Sequence, residues 1–102
     1  MSFFSSLMGS SSNSNEIHAK IQAGGKVVDV RSKAEFNDGH YPKATNIPLD
    51  VLQTRINEFG SKDKSIIVYC ASGARSAMAA RMLKSVGYVD VVNAGGLRDM
   101  PM

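Results

Sequence analysis

The stretch that decides the reading spans residues 65 to 83, SIIVYCASGARSAMAARML. Ile66, Ile67, Val68 and Tyr69 follow one another with no polar residue between them. A strand with one wet face alternates apolar and polar residues. A strand buried on both faces need not, so this run fits the interior of a parallel sheet. After Cys70 the chain turns to small residues, Ala71-Ser72-Gly73-Ala74. From Arg75 to about Val86 it becomes a run of helix formers, with Gly87 as the stop. Met78, Met82 and Val86 are expected to form the apolar stripe of that helix, core packing rather than a ligand box, with Ala77 and Ala80 permitting close approach. The lone cysteine of the chain thus sits where a buried strand hands over to a helix.

The segments on either side repeat the alternation. KVVDV (26–30) reads as a short apolar strand and RSKAEFND as a helix of one or two turns closed by Gly39. Pro42 and Pro48 limit the next strand to a brief one around Ala44 to Ile47. LDVLQTRINEF is read as an amphipathic helix, with Leu52, Ile56 and Phe59 on one face and Gly60 ending it. Before the first strand, Ser14 can cap a helix over NEIHAKIQA, with Ile17 and Ile21 on one face and Gly24-Gly25 closing it. YVDVVN is the last strand and AGGLRDMPM a turn with a short helical end. Strands and helices in alternation, joined by short connections, specify an α/β fold: an open, mostly parallel sheet with helices on both faces. Residues 1–13 form a Ser-rich stretch expected to be a flexible leader, in which Phe3, Phe4, Leu7 and Met8 fall at helical spacing. Residues 14–102 are expected to form the domain.

Length and composition narrow the chemistry. A chain of 102 residues makes one domain. Twelve basic against nine acidic residues give a net charge of +3 without a basic cluster, so no nucleic-acid partner is expected. One cysteine excludes an intramolecular disulfide, a CxxC redox pair and a multi-cysteine metal site. A free thiol fits a reducing compartment. No Lys or Arg precedes Lys20 and no continuous apolar run follows the start, so neither a secretory signal nor a membrane span is read. The expectation is a cytoplasmic protein without a membrane partner.

In open α/β sheets ligands bind beyond the carboxyl ends of the strands, and Cys70 lies at that edge. The backbone N–H groups of Ala71, Ser72, Gly73, Ala74, Arg75 and Ser76 cannot all be bonded within a helix that is only beginning. If the loop curls round the sulfur, they form an anion cradle backed by the helix dipole. Gly73 tolerates the positive φ such a curl needs. A helix N-terminus and a nearby Arg can bring a thiol from roughly 8.5 to roughly 3.5–7.5, which makes Cys70 a thiolate and a nucleophile at neutral pH. Arg75 offers a fork of donors for an oxyanion substrate. The competing reading is a buried Cys acting as a small hydrophobe, with Arg75 on the helix surface. Four residues lie between Cys70 and Arg75, one fewer than in the C-x5-R loop of cysteine-dependent phosphatases. The smaller ring suits a single transferred sulfur atom better than a tetrahedral phosphoryl group.

Over about residues 14 to 99 the chain resembles the single-domain rhodaneses, or thiosulfate sulfurtransferases. The matching pieces are VVDVRSKAEFNDGHYPKATNIPL (27–49), IIVYCASGARSAMAARMLKSVGY (66–88) and VVNAGG (91–96). The first is similar to the family's D-V-R-x-x-x-E-F-x-x-G-H-I-P-G-A-x-N-I-P signature and the second to its active-site loop and helix. The resemblance implies a rhodanese-like sheet of about five parallel strands. It implies that the Cys70 thiolate takes the outer sulfur of thiosulfate or of a persulfide donor and becomes a persulfide. An acceptor then removes that sulfur: cyanide in the test tube, a thiol or a protein in the cell. Loop N–H groups would stabilise the terminal sulfur and Arg75 would bind the donor's sulfonate, with no metal or organic cofactor required. Tyr41 stands where the family often has Ile, Lys43 where it often has Gly. No Trp follows the Gly-Gly turn, a place left to Leu97 or Met100.

Asp29, Arg31 and Glu35 are read as braces of the fold near the site, with Arg31 and Glu35 placed to pair across four residues. His40 is read as a hydrogen-bonded structural residue, a pH-sensitive site role being the alternative. Thiosulfate attack needs no proton removed from its ionised sulfur. His18 is expected to be exposed. Ser72 and Ser76 can bond substrate or cap the helix, the cap being the commoner use. Lys43, Arg81, Lys84 and Arg98 are read as solvated charges. Two rivals remain at this point. One is a phosphatase or arsenate reductase of the same fold, against which the short loop and the lack of a second Cys both argue. The other is a sulfur-carrier or partner-binding module with little turnover.

Overall fold

The computed structural model describes residues 14–101, so the expected leader lies outside the described residues. In chain order the elements are α1 (Ser14–Gln22), β1 (Lys26–Asp29), α2 (Lys33–Asn37), β2 (Thr45–Asn46), a 3-10 segment (Leu49–Phe59), β3 (Ser65–Cys70), α3 (Ala74–Ser85), β4 (Asp90–Gly96) and a closing 3-10 turn (Leu97–Asp99). The strands pair in the order β2-β1-β3-β4, every pair parallel, as expected for an open α/β sheet. Four strands are present among the described residues against the about five implied by the resemblance. Among the same residues no helix is long and apolar enough to cross a membrane.

The unbroken apolar run of β3 has its reason in the two cores. Ile66, Val68 and Cys70 face one of them, against Leu52, Phe59, Ala79 and Leu83. Ile67 and Tyr69 face the other, with Ile17, Val27 and Ala94. Both faces are covered, so both side-chain sets of β3 are apolar. Because β1 and β4 flank β3, its carboxyl end delivers Cys70 near the middle of the sheet edge.

α1 ends as its glycines predict. Gly25 N–H donates to Lys20 O at 2.9 Å and Gly24 N–H to Ile21 O at 3.0 Å, with Gly24 at φ 99. This is the paired bond pattern of a helix closed by a left-handed residue.

Two expectations are corrected. The buried face of α3 is Ser76, Ala79, Ala80 and Leu83, not the methionine stripe. Met78 and Val86 are exposed, and Met82 is partly buried against the core. Small residues let the helix backbone approach the sheet, and the longer side chains are rotated to the rim. Residues 49–59 form a 3-10 run rather than an α-helix, interrupted at Arg55 with φ −117 and ψ 23. Side chains three apart eclipse in a 3-10 helix. Leu49 and Leu52 form one such pair, Ile56 and Phe59 another, and the break at Arg55 absorbs the one-residue mismatch between them.

Lys43 has φ 68 and is the one non-glycine residue with positive φ among the described residues. That backbone position suits the Gly that the related signature often carries there. In the place of the missing Trp, Met100 is buried in the α1-side core and Leu97 packs partly against it.

Candidate active site

The cysteine loop is shaped by the joint between β3 and α3. The β3–β4 register shifts between Val68 and Cys70, so that Cys70 pairs with Gly96. Gly73 takes φ 104 and caps α3, whose first bond runs from Ala77 N–H to Gly73 O at 2.9 Å. The curl brings donors onto the sulfur. Gly73 N–H lies 3.0 Å from Cys70 Sγ, Ser76 N–H 3.4 Å, and the Ser76 hydroxyl 3.3 Å. Burial pushes the thiol up; the Ser76 hydroxyl and the amides of Ser76, Gly73 and Ser72 pull it down, and the outcome lies below the ordinary value. Cys70 itself has no exposed surface.

The floor of the ring is β4, for steric reasons the sequence does not display. A Cβ on Gly96 would stand 2.3 Å from Ala71 O, and one on Gly73 would stand 3.4 Å from Gly95 Cα. The Gly-Gly pair is therefore what lets the loop rest on the strand.

Asn93 ties the two together. Its Nδ2 donates to Gly73 O at 3.2 Å, while its Oδ1 accepts Gly95 N–H at 2.9 Å and the Ser76 hydroxyl at 2.6 Å. Ser76 is fully buried inside the first turn of α3, and since Gly73 holds the cap position the expected capping role is not what its side chain does. Its single hydroxyl hydrogen has Asn93 Oδ1 at 2.6 Å, Gly73 O at 3.2 Å, Cys70 Sγ at 3.3 Å and Gly95 O at 3.4 Å within reach. Asn93 lies inside the VVNAGG piece, yet nothing local marks its role at the loop, since its partners there, Ser76 and Gly73, are 17 and 20 residues away. Removing the hydroxyl has a signed consequence. In Ser76→Ala the midpoint of Cys70 alkylation against pH moves upward, and the iodoacetamide rate at pH 6 falls roughly ten-fold, the worth of one hydrogen bond to a charged group. An unchanged curve would mean that the hydroxyl serves Asn93 alone.

The charged residues pair differently from the expected Arg31–Glu35 couple. Asp29, fully buried, accepts Arg31 Nε at 3.0 Å, Arg31 Nη2 at 2.7 Å and Arg31 N–H at 2.9 Å. The Asp29 hydrogen bond raises the Arg31 guanidinium above its ordinary value. Arg31 Nη2 also donates to Gly39 O at 2.7 Å, which fixes the turn carrying His40. Glu35 goes instead to Arg75: Nη1 and Nη2 reach its two oxygens at 2.8 and 3.0 Å. Arg75, with help from Ser32, holds the Glu35 carboxyl down to about 2. The fork expected to grip a donor's sulfonate is thus already engaged by a carboxylate. Position decides these choices. Arg31 and Asp29 flank one residue at the end of β1, while Glu35 on α2 faces the start of α3.

His40 stacks on Phe36, ring centroids 3.7 Å apart and planes at 11°, with Nδ1 at 3.0 Å from Phe36 O. Tyr69, pushed up to about 12 mainly by burial, uses its hydroxyl to accept Tyr41 N–H at 2.9 Å.

His40 and Tyr41 line a cleft of about 560 Å³ beside the loop, walled also by Arg31, Pro42, Ala71, Leu97 and Arg98. A second cleft, of about 330 Å³, opens on the Arg75 side, against Val30, Leu49 and Asp50. Arg98, read from the sequence as a solvated charge, is exposed and stands at the first cleft with no ion-pair partner among the described residues. The arrangement can hold a sulfur anion in the ring and an organic group with negative charge beside it.

Comparison with known proteins agrees with this geometry. Residues 13–99 match the family model described as a rhodanese-like domain. The chain is similar to thiosulfate sulfurtransferase PspE of Escherichia coli, 38% identical over 76 residues, covering 74% of this chain and 73% of that protein. It is similar also to the "Putative sulfur carrier protein YrkF" of Bacillus subtilis, 40% identical over 72% of this chain but spanning only 40% of that longer protein. A solved structure described as a rhodanese with anions from E. coli superimposes with a TM-score of 0.71 at 37% identity, covering 76% of this chain and 95% of the other. The parallel sheet, the loop at its edge and these likenesses have one common account: the chain belongs to the rhodanese-like domain family.

Proposed function

We propose that the protein is a sulfurtransferase that carries a sulfane sulfur on Cys70, taking it from thiosulfate or a persulfide donor and passing it to a thiol. The observation that carries the reading is the ring of donors on Sγ. They favour the thiolate, and they favour equally the negative charge of a sulfur bound to it. In the first half-reaction the Sγ lone pair attacks the outer sulfur of thiosulfate. The S–S bond of thiosulfate breaks with its electron pair on sulfite, and Cys70 is left as a persulfide anion. In the second, an acceptor sulfur takes the outer sulfur, and the electron pair returns to Sγ. No proton is required in the first half, and no redox partner in either.

Arg98 is the cation available to the donor's sulfonate, because Glu35 already occupies both terminal nitrogens of Arg75. The Arg75–Glu35 pair then braces α2 against the loop. A reducing, cytoplasmic setting goes with a chemistry that depends on one free thiol.

Intact-mass measurement after incubation with thiosulfate tests this. One added sulfur atom is expected, removed by cyanide or dithiothreitol and absent in Cys70→Ala. No adduct on the wild type, or one that survives the substitution, ends the proposal. A second reading, a sulfur carrier with little turnover, draws on the full burial of Cys70 and on the likeness to YrkF. Fast adduct formation with slow release to cyanide would favour it. The phosphatase reading would need turnover of an aryl phosphate faster than of thiosulfate.

A further inference from the structure

Thiosulfate brings its sulfur already ionised, whereas a thiol acceptor does not. With a pKa of roughly 8.5, an ordinary thiol is only about 3% ionised at pH 7. Its proton has to leave as its sulfur attacks the persulfide, and none of the groups bonded to Sγ can take it: all are donors. Resting on the persulfide reading above, we propose that His40 is the base for this second half-reaction, accepting the proton of a thiol bound in the cleft beside Ala71.

The tautomer follows from the hydrogen bond. A carbonyl oxygen only accepts, so the 3.0 Å contact to Phe36 O places the hydrogen on Nδ1. In the neutral ring Nε2 then carries the lone pair. Stacking on Phe36 holds the plane of the ring, and the bond from Arg31 to Gly39 O holds the turn beneath it. Tautomer and plane of the ring are thus set from outside, and His40 lines the cleft together with Ala71, the residue that follows Cys70. The ionisable groups around it are Asp38 on its own turn, Arg31 from the end of β1, Tyr41 next in the chain and Arg98 from the closing turn. The Arg98 guanidinium attracts the thiolate as it forms, the charge of Arg31 being already countered by Asp29. Tyr41 and Leu97 give the cleft an apolar wall for the carbon body of the acceptor.

The step balances. Nε2 takes the S–H proton, and the freed pair forms the bond from the acceptor sulfur to the outer sulfur of Cys70. The Sγ–S bond breaks with its pair on Sγ, which returns to the thiolate in the ring. The acceptor leaves as a persulfide anion and the imidazolium gives its proton to water.

His40→Asn keeps an N–H for Phe36 O and cannot act as a base. Persulfide prepared by thiosulfate loading and desalting is mixed in stopped flow with two acceptors at pH 7. One is 2-mercaptoethanol, which arrives protonated; the other is 2-nitro-5-thiobenzoate, which arrives ionised. In the variant, transfer to 2-mercaptoethanol should fall roughly a hundred-fold, the lower end of what a positioned general base contributes. Transfer to the aromatic thiolate and loading by thiosulfate should stay within about two-fold, since neither involves a proton. The deficit with 2-mercaptoethanol should close as pH rises past that thiol's own pKa, where it no longer needs a base. Equal losses with both acceptors, a deficit that persists at high pH, or a variant that no longer loads would overturn the base and leave His40 structural. Wild type supplies an arm that needs no variant: heavy water should slow transfer to 2-mercaptoethanol more than to the aromatic thiolate, and equal slowing counts against the proposal. A wild type that takes up no sulfur condemns the persulfide reading instead.

Discussion

Asp29→Asn is expected to cost about 3–5 kcal/mol of folding stability, the scale of breaking a buried ion pair by removing one partner. Asp29 has no exposed surface and Arg31 is 8% exposed. Arg31 spends its Nε and Nη2 on the carboxylate, and its backbone N–H goes to the same group. Asparagine keeps the shape but leaves a guanidinium with little water and no counter-charge. A domain of this size has about 5–15 kcal/mol in all, so the loss is a large fraction of the total. The damage should also spread toward the site. Through Nη2 the same Arg31 holds Gly39 O and with it the turn of His40, and its guanidinium lies 5.7 Å over the Tyr69 ring. Urea denaturation followed by circular dichroism measures the change. A loss under about 1 kcal/mol would place this pair among the weak, solvated ones.

Gly96→Ala is expected to disable the thiol while leaving most of the fold. Its Cβ would fall 2.3 Å from Ala71 O and 3.1 Å from the carbonyl carbon, both backbone atoms that cannot swing aside. Either the loop lifts or β4 shifts, at about 1–3 kcal/mol for an overpacked contact. A lifted loop carries Gly73 N–H away from Sγ. A thiol returned to the ordinary value of roughly 8.5 is ionised to only about 3% at pH 7, so sulfur uptake from thiosulfate should fall by up to about thirty-fold. The rate of uptake and the pH curve of alkylation should move together. Wild-type uptake in this variant would show that the loop does not depend on the strand beneath it.

The two substitutions act on separate supports of one geometry. Asp29 anchors the wall of the cleft through Arg31, whereas Gly96 anchors the ring round the sulfur. A sulfur carried on Cys70 would stand between them, with the ring holding its charge and the cleft holding the acceptor. That division explains why so few polar side chains surround the thiol: backbone amides and one serine hydroxyl supply the donors.

What could be read from the sequence was what short stretches encode. The uninterrupted Ile66–Tyr69 run announced a strand covered on both sides, because apolar residues at successive positions must be buried on opposite faces. Gly73 marked the tight turn, and the helix formers after it marked a helix start behind the thiol, so a loop able to curl round Sγ was legible in the sequence. The register of the α3 face was not, because alanine and methionine both suit a helix, and only contact with the sheet rewards the smaller side chain. Choice of partner was not legible either. Arg75 reaches a carboxylate 40 residues earlier, and Ser76 an amide 17 residues later. A long or polar side chain is compatible with several partners, and the sheet order β2-β1-β3-β4 decides which one it meets. The place of the thiol and of its loop was therefore set by local sequence. The cleft, its cations and the hydrogen-bonded imidazole on its wall belong to the tertiary structure, which alone brings residues 31, 40, 71 and 98 to one place.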